Sequence, residues 1–175
     1  MNRKGRTEEK ENESSELPPP VITIRNYMLR LLGRRDHTVA ELIRKAARKG
    51  YTTASCQESV DELTAEGLLD DARFAINYAE EKSRTKRWGP KKIRAGLLKK
   101  GVQPEIANSA LREIEDGLEL IQNCVDLVER RRQHFYRESD HFKRKQKIVA
   151  WLRQKGYRSD TIRKALPQIA EMLNV

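Results

Sequence analysis

Three times along the chain a stretch with helical apolar spacing ends in Lys-Gly: LIRKAARKG at Gly50, IRAGLLKKG at Gly101 and IVAWLRQKG at Gly156, at intervals of 51 and 55 residues. Aligned on the glycines, Leu42, Ile93 and Ile148 coincide, as do Ala46, Leu97 and Leu152. Each pair is four residues apart, on one helix face. The glycines then fall one residue past a helix end, where a left-handed residue closes the helix with little strain. The segments that follow repeat as well. Cys56, Val60 and Leu63 align with Ala107, Leu111 and Ile114, and again with Ile162, Leu166 and Ile169. Their i, i+4, i+7 spacing is a helix core stripe. A further helix precedes each pair, over 24–35, 71–86 and 118–137. The repeat unit is therefore helix, helix, Gly turn, helix. Three units in tandem predict an all-α fold of three-helix modules forming an elongated, curved array in which each module packs mainly on its neighbours.

Capping signals agree with this phase. Thr38-Val39-Ala40-Glu41 has the spacing of a capping box before the second helix of unit one. The equivalent positions in unit two are Gly89 and Pro90, with proline at the first helical position and Trp88 placed to staple onto Ile93. Asp70 reads as an N-cap with Leu69 stapled to Phe74. In unit three the second helix begins early, near Ser139 or Asp140. Gly50, Asp70, Phe74, Gly89, Pro90, Gly101 and Gly156 are thus the expected structural positions. The expected modules span 21–69, 70–116 and 117–175. Residues 1–20 are polar and end in three prolines, a composition too poor in apolar surface to offset chain entropy, so they read as a disordered arm.

Charge then narrows the function. Lys and Arg number 36 against 26 Asp and Glu, a net charge of +10. The arm holds four basic and five acidic side chains, which leaves +11 on the helical body. An excess of that size points to a polyanionic partner, most commonly nucleic acid. No segment reads as a membrane span or a signal peptide. With only Cys56 and Cys124, far apart, the chain reads as reduced, cytoplasmic and without a disulfide framework or a cysteine metal site.

Catalytic patterns are weak. The acidic group Glu62, Glu66, Asp70 and Asp71 is better explained by capping than by acid–base chemistry or a Mg²⁺ nuclease centre. His37, His134 and His141 have no ligand spacing. No phosphate loop or nucleophile signature is present. We therefore expect no enzyme, no cofactor and no metal. The basic stretches are stronger. Between residues 82 and 100, Lys82, Arg84, Lys86, Arg87, Lys91, Lys92, Arg94, Lys99 and Lys100 occur with no acid, and Trp88 sits among them. A second stretch comprises Arg130, Arg131, Arg132, Arg137, Lys143, Arg144, Lys145 and Lys147, with Phe135, Tyr136 and Phe142 interleaved. Cations beside aromatics suit a phosphate backbone with exposed bases.

These residues also carry a resemblance. EGLLDDARFA (66–75) followed by WGPKKIRAGLLKKGV (88–102) closely resembles the RecX family, and LGRRDHTVAELIRKAARKGY (32–51) and WLRQKGYRSDTIRKAL (151–166) are similar to its first and third modules. The likeness runs over about 24–170. Gly96, inside a helix, and the extra arm are its departures. The resemblance implies a regulator of the RecA recombinase: a monomeric rod of three-helix modules that lies in the groove of the RecA–DNA filament, contacts the protein and the DNA within it, and inhibits recombinase, ATPase and coprotease activities. DNA alone is a further candidate partner. A helix-turn-helix transcription regulator is the alternative, though Thr53-Ala54-Ser55 is a poor start for a base-reading helix. From composition, deleting residues 1–19 should leave helicity and RecA inhibition nearly intact; circular dichroism and a RecA ATPase assay on the truncated protein check this.

Overall fold

A computed structural model describes residues 22–114 and 117–173. The arm at 1–20 and the module boundary at 116 lie outside the described residues. The described chain is helical throughout, with α1 (Ile24–Leu32), α2 (Val39–Ala47), α3 (Thr53–Ala65), α4 (Asp71–Lys86), α5 (Pro90–Lys99), α6 (Pro104–Ile114), α7 (Gly117–Glu129), α8 (Arg132–Tyr136), α9 (His141–Gln154) and α10 (Ser159–Leu173).

Each repeat unit builds its own core. Met28, Leu42, Ala46, Cys56, Val60, Leu63 and Leu69 form the first. Phe74, Ala75, Ala79, Ile93, Leu97, Val102, Ala107, Ala110 and Leu111 form the second. The third gathers Leu120, Cys124, Val128, Phe135, Ile148, Leu152, Tyr157, Ile162, Ala165 and Ile169 among others. Narrow stripes rich in alanine explain how a chain that is 35% charged closes three cores. Burying each large side chain contributes about 1.5–3 kcal/mol.

The helix ends follow the capping signals closely. Thr23, Thr38, Thr52, Asp70 and Asp140 cap α1, α2, α3, α4 and α9 through their side chains, and Gly89-Pro90 opens α5 without a side-chain cap. Gly50, Gly101 and Gly156 have φ of 90°, 88° and 96°, the left-handed turn that the repeat implies.

Five details differ from the sequence reading. The first helix of unit one stops at Leu32, with Gly33 as its C-cap. The helix expected over 118–137 breaks at Arg131 (φ −117°, ψ 13°), after which α8 places Phe135 edge-to-face on Trp151 with ring centroids 5.6 Å apart. Leu69 does not staple to Phe74. It is 1% exposed in the first core, while Phe74 belongs to the second. The capping box at Thr38 is made on one side only, since the Glu41 side chain turns to Arg35, His37 and Lys100. Finally, Ile114 and Leu166 are half-buried, and Ala110 and Ala165 take the deeper positions beside them. Gly96 has a packing reason: a Cβ there would lie 2.4 Å from the Tyr78 hydroxyl, so glycine lets α4 approach α5.

The units are joined by one arrangement used twice. The Lys-Gly turn of each later unit sits on the N-terminus of the second helix of the unit before it. At the first joint the Thr38 hydroxyl donates to the Lys100 carbonyl at 2.7 Å, and the Val39 N–H donates to Asp71 Oδ1 at 2.9 Å. At the second, the Gly89 N–H donates to the Lys155 carbonyl at 2.8 Å and the Lys91 N–H to the Gly156 carbonyl at 3.1 Å. The first N–H groups of a helix have no partner within it. Here the next module supplies acceptors for them. Contact is close enough to exclude a side chain: a Cβ on Gly101 would lie 2.3 Å from the Ala40 Cβ, and one on Gly156 would lie 2.5 Å from Lys92 Cβ.

Gly101 is therefore held by two independent requirements, φ and contact, whereas Gly67 (φ +70°) has nothing within 4 Å of its Cβ position. Gly67→Ala should cost about 1 kcal/mol, the left-handed penalty alone. Gly101→Ala should cost clearly more than that, and Gly101→Val more again. Denaturant unfolding of the three variants checks the order.

Candidate nucleic-acid and filament interface

The basic residues singled out in the sequence divide into two groups in space. Several are tied into the fold. Lys100 donates to Glu41 Oε1 at 2.7 Å across the first joint. Arg87, the C-cap of α4 with φ 50°, pairs with Asp126 at 3.4 Å, and its carbonyl accepts from the Tyr157 hydroxyl at 2.9 Å. Arg144 is buried, donates through Nε to the Glu138 carbonyl at 2.9 Å, and lies over the Tyr136 ring. Lys82 pairs with Glu81 and Lys147 with Glu138. Arg94 donates to Asn108. Of these, Lys100 and Arg87 bridge neighbouring units, while Lys82, Arg94, Arg144 and Lys147 are paired within their own.

The second group is exposed: Arg84, Lys86, Lys91, Lys99, Arg130, Arg132, Arg137, Lys143 and Lys145. Beside it the structure brings together a cluster that the sequence reading did not assemble. Lys92 on α5 lies over the Trp88 ring, 4.7 Å from its centroid. Across the joint, Arg131 and Lys155 both lie over the Trp151 ring, at 5.3 and 5.4 Å. Lys155 is the residue before the third glycine and was not among the candidates. Partial burial, with the charges of Lys92 and Arg131 adding to it, holds its ammonium group below the usual lysine value. Three cations and two tryptophans thus converge where units two and three meet. The lysine before each glycine was visible in the repeat, but only the docking of the Lys155-Gly156 turn on the N-terminus of α5 brings Lys155 near Lys92. Of the interleaved aromatics, Phe135 is core, Tyr136 is 40% exposed and Phe142 is 69% exposed.

The acidic group has structural partners. Glu62 and Glu66 pair with Arg25 on α1, at 3.6 and 2.8 Å. Asp70 accepts from the N–H groups of Ala72 and Arg73, and Asp71 accepts from Val39. His37 is buried against Glu41, while His134 and His141 are exposed. Among the described residues no three His, Cys, Asp or Glu side chains are grouped to hold a metal ion. Cys56 and Cys124 are buried free thiols, and burial pushes Cys124 up to about 12, which makes it unreactive. Among the same residues, no helix is long and apolar enough to cross a membrane.

The fold and its cationic joint define a class of protein: a tandem array of three-helix modules. Comparison with known proteins gives the family. Models of the first, second and third three-helix domains of RecX match residues 25–63, 70–111 and 119–166. The regulatory protein RecX of Chlorobium phaeobacteroides (strain BS1) is 33% identical over 141 residues, covering 81% of this chain and 89% of the relative. That of Trichlorobacter lovleyi is 32% identical over 135 residues, covering 77% and 88%. The chain belongs to the RecX family of regulatory proteins. The crystal structure of RecX from Lactobacillus salivarius shares the fold, with a TM-score of 0.77 over 83% of this chain and 94% of that one, at 24% identity.

Glu41 is the electrostatic centre of the first joint. Burial opposes its ionisation, but hydrogen bonds from Lys100 and Arg35 outweigh that and bring its carboxyl down to about 2. Ionised, it can only accept, so the 3.2 Å contact to His37 Nδ1 requires the proton on that nitrogen. A carboxyl whose value is lower in the folded state stabilises the fold fully above its unfolded value of about 4.3, and the stabilisation fades as pH falls through the folded value. Glu41→Gln should therefore cost about 1–3 kcal/mol at pH 7, with the difference from the parent chain shrinking below about pH 4. Urea unfolding across that range measures it.

Proposed function

We propose that this chain binds the RecA–DNA nucleoprotein filament in the cytoplasm, acts there as a monomer without a cofactor, and inhibits the recombinase, ATPase and coprotease activities of RecA. The observation that carries the reading is the cationic surface at the joint of units two and three. Lys92, Arg131 and Lys155 converge with Trp88 and Trp151, and the exposed Lys86, Lys91 and Lys99 belong to the same unit as Lys92. Phosphates are attracted to such a surface by charge and counterion release, and aromatic rings add stacking where bases are accessible. Tandem modules present this charge over more than one unit, so several modest contacts act together through effective concentration. A long groove in a filament is a partner that uses such a surface along its length, and occupying it blocks strand exchange and filament growth.

The helix-turn-helix alternative is less well supported. The third helices of the units begin Thr53-Ala54-Ser55, Pro104-Glu105 and Ser159-Asp160. Two of these starts place a carboxylate where a recognition helix would meet the DNA, and none offers a base-reading pair.

The test uses the cations that do not hold the fold. Reversing Lys86, Lys91 and Lys99 to Glu should leave helicity unchanged. It should weaken binding to RecA filaments on single-stranded DNA by at least about tenfold and reduce the salt slope by about 0.9 for each lost phosphate contact. Inhibition of DNA-dependent ATP hydrolysis should fall in parallel. Inhibition at the parent concentration by the reversed chain would place the binding surface elsewhere on the array.

A further inference from the structure

Unit three departs from the repeat between its first and second helices. In unit one α1 ends at Leu32 and α2 starts at Val39, and in unit two α4 ends at Lys86 and α5 starts at Pro90. Between Glu129 and His141 unit three carries an additional helix, α8. Its one buried residue, Phe135, packs on Trp151. The neighbours of Phe135 do not serve the core: Arg131 and His134 are exposed. Together with Phe135 and with Lys147, Trp151 and Gln154 of α9, they line a pocket of about 590 Å³.

No carboxylate lines this pocket. Lys147 is paired with Glu138, but Arg131 and Lys155 have no ion-pair partner among the described residues, and both lie over the Trp151 ring. A cation over an indole gains less than one hydrogen-bonded to a phosphate, so these two are available to an anion. The half-buried indole offers a platform to any base, since every base has a π face. In a duplex the faces of each base are covered by its neighbours, so such a ring selects an unpaired strand. His134 and Gln154 add donors and acceptors for a base edge. The volume is in the range of pockets that enclose a group of small-molecule size. Beyond the pocket the positive surface continues through Lys155 to Lys92 and Trp88 of unit two, which favours a strand with successive phosphates over a lone nucleotide.

We propose that the pocket between α8 and α9 is a subsite for one unpaired nucleotide of a DNA strand: the base stacks on Trp151, and Arg131 and Lys155 bind the flanking phosphates. The subsite rests on the filament reading for the source of its strand, and adds which component of the filament this joint holds.

The chain has two tryptophans, Trp88 and Trp151, so Trp88→Phe leaves Trp151 as the sole emitter. Titrated at low salt with an oligodeoxythymidylate of about 12 nucleotides, this full-length variant should show saturable quenching with a Kd of about 1–100 µM. A duplex of the same length should leave the emission nearly unchanged, and ATP should not saturate it below about 1 mM. Adding Arg131→Gln with Lys155→Gln should weaken oligonucleotide binding at least about tenfold. Lys143→Gln with Lys145→Gln, which removes the same charge outside the pocket, should weaken it by less than about threefold. Circular dichroism establishes that each variant is folded. Equal losses for the two pairs, or equal quenching by the duplex or by polyglutamate, overturns the proposal. So does saturation by ATP at the strand's own concentration, since the pocket then takes a free nucleotide. No quenching by the oligonucleotide from a chain that still inhibits RecA overturns the subsite alone, whereas quenching from a chain that does not bind RecA filaments overturns the filament reading and upholds the subsite.

Discussion

The array depends on giving partners to helix N-termini. The first N–H groups of any helix lack acceptors within the helix, and a module that buries that end against a neighbour must satisfy them. Here the neighbour does so with the carbonyls of a Lys-Gly turn, at Lys155 and Gly156, and with the Asp71 carboxylate. The same contact sets the spacing between modules, because a Cβ on Gly101, Gly89 or Gly156 would overlap the facing residues. One small motif thus closes a helix inside its own module, caps a helix in the preceding one, and fixes the distance between the two.

The charge on the chain has two uses, which the geometry separates. Lys100 with Glu41 and Arg87 with Asp126 are inter-module pairs, and Arg144 is buried within its module. Truncating one member of a buried pair leaves the other uncompensated, which costs more than the pair contributes. The exposed lysines and arginines on α4, α5 and α8 carry no such duty. Much of the net positive charge is therefore available to a polyanion without weakening the joints. At the meeting of units two and three both uses coincide: Gly89 and Gly156 lock the backbones while Lys92, Arg131 and Lys155 are drawn together over two tryptophans.

Where the sequence reading and the structure part, the cause is tertiary. The apolar spacing from Val128 to Phe135 is that of a continuous helix, so nothing local marks the break at Arg131; the contact of Phe135 with Trp151 is what the bent chain gains. Leu69 has the position of a staple for α4, but the surface it fills belongs to the preceding module. Lys155 has no local feature that distinguishes it from Lys49 or Lys100. It becomes part of a site because the turn that follows α9 docks on the N-terminus of α5. Glu41 has the spacing of a capping box, yet cations from Arg35 and Lys100 compete for its carboxylate and win.

The sequence by itself determined the helical class, the three-fold repeat, the caps and the left-handed glycines, since each of these follows from side-chain periodicity or from the φ that a single residue tolerates. It also determined that the body carries a large positive excess. Only the tertiary structure decided which of those cations are held in joints and which face outward. That depends on contacts such as Glu41 with Lys100 and Arg87 with Asp126, between residues some 40–60 positions apart, where charge and volume from different modules meet, and no periodicity along the chain records which faces come together.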